Sequence, residues 1–66
     1  MRVTVNGTVT DLDEDATVAQ LVAERSPGHD RVAVALNGDV VPRSSWPTTT
    51  LTAGDSLEVL APTAGG

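Results

Sequence analysis

Two residues combine a type and a position that can do chemistry: Gly65 and Gly66, at the close of the sequence. Glycine carries no Cβ, so a Gly-Gly terminus led by Ala64 can be threaded fully extended through a narrow channel with its α-carboxylate presented unhindered. A carboxylate must be activated before it reacts. The usual route is attack on the α-phosphate of ATP, giving an acyl adenylate that a sulfur or nitrogen nucleophile opens. A frayed end without function accounts for the same two residues, and Gly-Gly alone does not decide between these readings.

Other candidate groups carry less. Asp11, Asp13 and Asp15 match positions 1, 3 and 5 of a calcium loop, but position 6 is Ala16 instead of glycine and position 12 is Val22 instead of glutamate. Asp13, Glu14 and Asp15 are better explained as negative charge ahead of a helix N-terminus. His29 sits in a Pro/Gly loop with no Ser or Cys partner arrangement, and with no cysteine there is no ligand cluster for a structural zinc. Phosphate-binding glycine patterns are missing.

Charge and size exclude further classes. Four arginines, no lysine and nine Asp/Glu give a net charge of −5, which repels phosphate backbones, so nucleic acid is not an expected partner. Tyr, Cys and Lys are all absent, and a pocket with about 300 Å³ or more of enclosed volume is hard to carve from 66 residues, so the chain is not expected to be an autonomous enzyme. No apolar run approaches the roughly 18 residues that span a bilayer, and Met1-Arg2-Val3 lacks a signal-peptide layout, which points to the cytoplasm and away from membranes.

The elements that must position the Gly-Gly end follow from local pattern. Ten Val, six Leu and nine Thr favour strands over helices. Val3 and Val5 alternate with Arg2 and Thr4, and Asn6-Gly7 then leads into Thr8 to Leu12, a hairpin signal that places Val5 opposite Thr8, Val3 opposite Thr10 and Arg2 opposite Asp11. Thr17 with Gln20 forms a capping box, Ala16 against Leu21 a weak hydrophobic staple, and Val18, Leu21 and Val22 one buried stripe of a helix that Ser26-Pro27-Gly28 ends. Val32, Val34 and Leu36 alternate, and Asn37-Gly38 turns the chain into a short edge strand before Pro42.

Arg43 to Thr50 has no clear period and reads as a loop with room for one helical turn around Trp46-Pro47. Ala53-Gly54-Asp55 turns into a last strand, Ser56 to Leu60, expected at the centre of the sheet. Trp46, the one aromatic residue, either closes one end of the core or serves in docking. Arg43 is either a fold-stabilising hydrogen-bond donor or a docking residue. The order ββαβββ or ββαββ, with the helix carrying the chain to a strand beside the first hairpin, is the β-grasp arrangement: an α+β fold with a mixed four- to five-stranded sheet and one main helix on one face. The domain is expected over residues 1–61, with a flexible tail over 62–66.

At Val32 to Trp46, VAVALNGDVVPRSSW, followed by Ala53-Gly54-Asp55 and Gly65-Gly66, the chain resembles the ThiS family of thiamin-biosynthesis sulfur carriers, over nearly its whole length. The family stretch A-x-N-x-x-x-V-P-R-x-x-W is matched by Ala35, Asn37, Val41, Pro42, Arg43 and Trp46, and a Gly-Asp turn by Gly54-Asp55. Together these are far more specific than Gly-Gly alone. The resemblance implies a ubiquitin-like β-grasp and a chain that is not itself an enzyme but a protein co-substrate. Gly66 is then adenylated by an E1-like, ThiF-type enzyme that uses ATP, and is converted to a thiocarboxylate with sulfur from a cysteine desulfurase relay. It donates that sulfur to a ThiG-type thiazole synthase, which builds the thiazole phosphate from a deoxyxylulose phosphate and a glycine- or tyrosine-derived imine. No cofactor is implied on the chain itself. Gly65 and Ala64 are the slender approach to Gly66. Pro62 departs from the apolar residue that many members carry there and lacks an N–H for any added-strand pairing.

With no cysteine in the chain, sulfur cannot ride as a side-chain persulfide, which agrees with a terminal carboxyl carrier. Because one helix leaves one sheet face uncovered, that face is expected to dock on the partners, through Val41, Pro42 and Leu57, with Arg43 and Trp46 as further candidates. Two alternatives remain: a small subunit of molybdopterin synthase, which shares fold, tail and chemistry but lacks the V-P-R-x-x-W stretch, and a β-grasp interaction module with a chemically silent tail.

Overall fold

Two Asn-Gly dipeptides shape the sheet. Asn6 (φ 51°) with Gly7 (φ 80°), and Asn37 (φ 50°) with Gly38 (φ 89°), occupy the left-handed region that two-residue hairpin turns require. In the computed structural model, which describes residues 1–25 and 31–60, the first turn joins β1 (Arg2–Val5) to β2 (Thr8–Asp11). The second joins β3 (Ala33–Leu36) to β4 (Asp39–Val40). The first hairpin has the register read from the sequence, with Arg2 opposite Asp11, Val3 opposite Thr10 and Val5 opposite Thr8.

Helix α1 (Val18–Arg25) begins at the expected capping box: the Gln20 amide donates to Thr17 Oγ1 at 3.2 Å, and the Thr17 amide donates to Gln20 Oε1 at 3.0 Å. Val18, Leu21 and Val22 are buried, as is Ala16 ahead of the cap. The expected stop at Ser26-Pro27-Gly28 and the His29 loop lie outside the described residues. A 3₁₀ helix over Arg43–Thr48 fills the stretch read as loop, and the segment after it is stitched to the start of α1, the Val18 amide donating to Thr49 O and the Leu51 amide to Ala16 O.

The strand order is β2-β1-β5-β3-β4, with β5 (Ser56–Leu60) in the centre as expected, parallel to β1 and antiparallel to β3. One detail of topology differs from expectation. The strand reached through the helix is β3, yet it does not lie beside the first hairpin; β5 occupies that place. The physical reason is burial: the central position covers a strand on both edges, and β5 brings two core residues, Leu57 and Val59, to the helix-covered face. Val3, Val5, Val34, Leu57 and Val59 pack there against Val18, Leu21 and Val22, and Trp46 and Leu51 complete the core on the side of the 3₁₀ helix.

Candidate functional site

The chain reaches its Gly-Gly end by way of β5, so the site is built from what holds that strand. Backbone groups of β5 face its two neighbours alternately. On the β1 side, Thr4 donates to Asp55 O and Asn6 to Leu57 O, both at 2.9 Å. Beyond Leu57, β1 has already turned away at Asn6-Gly7. There the Asn6 side chain takes over: Val59 N–H donates to its Oδ1 at 2.8 Å, and its Nδ2 donates to Val59 O at 3.1 Å. One carboxamide thus stands in for the next peptide of the ladder, satisfying both polar groups of a residue that is buried.

Asn37 makes a matching clamp at the other end of β5. Its backbone N–H donates to Ser56 O at 2.7 Å, its Oδ1 accepts from Ser56 N–H at 2.9 Å, and its Nδ2 donates to Asp55 Oδ1 at 3.0 Å. The other carboxylate oxygen of Asp55 accepts from Thr52 N–H at 2.7 Å, which closes the Gly-Asp turn. Asn37 and Asp55, singled out in sequence by their motif, therefore act as one hydrogen-bonded unit that starts the central strand.

The remaining motif residues divide between fold and surface. Trp46 is 7% exposed, and its Nε1–H donates to Val41 O at 3.0 Å. The exposed Arg43 guanidinium lies 5.5 Å from the Trp46 ring centroid, a cation–π contact. Of the two roles left open for Trp46, the structure places it in the core. Leu57 requires a correction: it is 1% exposed and faces the helix, opposite Val5 and Leu36, so it does not lie on the open face. Val41 is half-buried, and Pro42 and Arg43 are exposed. Gly66, Gly65, Ala64 and Pro62, with the expected boundary at residue 61, lie outside the described residues.

The open face carries residues that the sequence reading missed. Cross-strand partners share a face, so Val9 lies there opposite Thr4, Leu60 opposite Ala33, and Val40 opposite Ala35. They are 62%, 62% and 77% exposed, the large apolar side chains given to solvent among the described residues. Phase was the available signal, since each lies one residue out of step with the buried positions of its strand or of the strand beside it. Leu60 is also the last described residue before the glycine end, and it shares its face with the charged Arg2, Asp11 and Glu58. Residues 61–66 can add at most about 20 Å of reach.

A separate surface groove of about 450 Å³ lies between the end of β2 and α1, with Leu12 and Leu21 among its lining residues and Asp11, Asp13 and Glu24 contributing carboxylates. It is an open groove and not an enclosed cavity, and the only ionisable groups lining it are those carboxylates. Among the described residues no group of three or more His, Cys, Asp or Glu is placed to hold a metal, and no helix is long and apolar enough to cross a membrane.

Comparison with known proteins completes the description. The sequence matches the ThiS family over residues 3–66. The chain is similar to the crystal structure of the thiamine biosynthesis protein (ThiS) from Geobacter metallireducens, at 36% identity and a TM-score of 0.82, with all of both chains covered. It is also similar to the NMR solution structure of a thiamine biosynthesis protein from the same organism, at 36% identity and a TM-score of 0.79, covering all of this chain and 88% of that one. It is 33% identical over 66 residues to the thiazole synthase of Paramagnetospirillum magneticum; all of this chain is covered but only 20% of that protein, so the chain spans about one fifth of the length of that curated relative.

Proposed function

This chain belongs to the ThiS family, and on that premise we propose that it is a sulfur carrier for thiazole formation in thiamin biosynthesis, acting through the α-carboxylate of Gly66. The observation that carries the reading is that the family match runs through residue 66 and includes Gly65-Gly66. The carboxylate attacks the α-phosphate of ATP on an E1-like enzyme and pyrophosphate leaves. A persulfide of the cysteine desulfurase relay then displaces AMP to give an acyl disulfide. A second thiol on the partner enzyme attacks the relay sulfur, breaking the S–S bond so that the chain leaves as a thiocarboxylate and the partner keeps a disulfide. The similarity to a thiazole synthase supports a thiazole synthase as the recipient of that sulfur.

The chain's own contribution is presentation. It supplies no nucleophilic thiol, having no cysteine, and its fold delivers the carboxyl end from the central strand. The open face offers Val9, Val40 and Leu60 to a partner that also grips the tail, and its negative charge suits partners of opposite sign. The test is intact mass after incubation with ATP, the E1-like enzyme and a sulfur donor. Replacement of one C-terminal oxygen by sulfur is expected, and an unchanged mass with active enzymes overturns the proposal.

A further inference from the structure

We propose that Asn6 is a positioning residue for the carrier end: its carboxamide fixes Val59, and so the root from which residues 61–66 set out toward Gly66. The proposal rests on the sulfur-carrier reading for its functional consequence and on geometry for its structural one. The turn at Asn6-Gly7 needs only a residue that accepts a φ of 51°, which glycine does at least as well. The carboxamide therefore does something the turn does not require. It holds both backbone groups of Val59, across 53 residues of sequence, at a point where no strand remains on that side. On the other side of β5, Leu60 is held in register with Ala33. Without Asn6, the last two residues of β5 are secured along one edge only.

A root held from both sides is already ordered when a partner takes hold of the tail, so less conformational entropy is lost on docking. Asn37 provides the internal comparison. It is the same residue type in the same kind of turn, and its side chain also makes two hydrogen bonds, but to Ser56 at the start of β5 and to Asp55 just before it, the far end from the tail. A purely structural role predicts like consequences for the loss of either side chain, whereas a positioning role predicts that only Asn6 affects the carrier end.

Asn6→Gly and Asn37→Gly keep the left-handed turns and remove the carboxamides. Asn6→Asp keeps an acceptor for Val59 N–H and replaces the donor with a carboxylate oxygen. In amide hydrogen exchange on the full chain, normalised to Val34, Asn6→Gly is expected to speed exchange at Val59 about tenfold. Asn6→Asp gives a smaller change, and Asn37→Gly leaves Val59 within about twofold. In ATP–pyrophosphate exchange with the E1-like enzyme, Asn6→Gly raises the KM for the carrier about tenfold, equivalent to ~1.4 kcal/mol, at unchanged kcat. Asn37→Gly leaves KM within about twofold and Asn6→Asp restores part of the loss. Equal effects of the two glycine variants overturn the positioning role. If the unsubstituted chain supports no pyrophosphate exchange, the carrier reading fails instead, and exchange at Val59 decides the positioning on its own.

Discussion

Replacing Trp46 with phenylalanine separates a core role from a docking role in one variant. The ring is 7% exposed and its Nε1–H is held by Val41 O at 3.0 Å. Phenylalanine keeps the apolar ring but leaves that half-buried carbonyl unpaired, costing about 0.5–1.5 kcal/mol. The smaller ring also withdraws roughly 40 Å² of apolar surface, another ~1 kcal/mol at 25 cal/mol per Å². The contact with Arg43 adds at most a few tenths, because that guanidinium is exposed. The sum is about 2 kcal/mol. A domain of this length has only roughly 3–10 kcal/mol in total, so the variant folds at 25 °C with its Tm lowered by about 10–15 °C. Urea unfolding followed by far-ultraviolet circular dichroism reads the change, since the one tryptophan is gone. A loss below about 0.5 kcal/mol refutes the packing argument. A tenfold fall in activation of the folded variant at unchanged stability refutes the assignment of Trp46 to the core.

Deleting Gly66, or adding one residue after it, leaves the unfolding midpoint unchanged but abolishes thiocarboxylate formation by intact mass, because one residue moves the carboxyl by roughly 3.3 Å, a full reaction distance; Gly65→Val slows activation by crowding a channel fitted to glycine, and efficient sulfur loading of any of these chains counts against the carrier mechanism. Val40→Glu and Leu60→Glu keep stability within about 0.5 kcal/mol and weaken the complex with the E1-like enzyme in calorimetric titration, whereas Leu57→Ala costs about 2–5 kcal/mol in urea unfolding; unaltered affinity in the two glutamate variants removes the open face from the docking surface. With a net charge of −5, association slows as salt rises and the Debye length shrinks toward ~3 Å at 1 M; stopped-flow rates independent of salt contradict electrostatic steering.

What was legible in the sequence was what neighbours in sequence decide. Asn6-Gly7 set the first hairpin's register to the residue, because a two-residue turn leaves no freedom in pairing. Thr17 and Gln20 announced the helix start because both halves of the capping box lie within four residues. The position of β3 was not legible: it depends on β5, some twenty residues later, claiming the place beside β1. Alternation of Leu57 and Val59 showed that they share a face without showing which one. That phase is fixed only when β5 pairs with Val5 and Leu36. Val9, Val40 and Leu60 were missed for the same reason. The asparagines were read as turn formers, and nothing local reveals that Asn6 reaches Val59. The V-P-R-x-x-W stretch was recognised as a motif, while its division into a buried ring, an accepting carbonyl and a stacked guanidinium required the fold.

The strand made last occupies the middle of the sheet. Among the described residues, neither strand of the first hairpin pairs with either strand of the second; β5 alone joins them. A polypeptide released or cleaved before Ser56 therefore consists of two hairpins with no shared edge, and a lone hairpin is at best marginally stable in water. Assembly has to wait for the longest loop closure in the domain, from β1 to β5. The sheet thus acts as a completeness check. Copies that stopped short of β5 lack the folded sheet and any surface built on it, and a copy that has folded was synthesised to within six residues of Gly66.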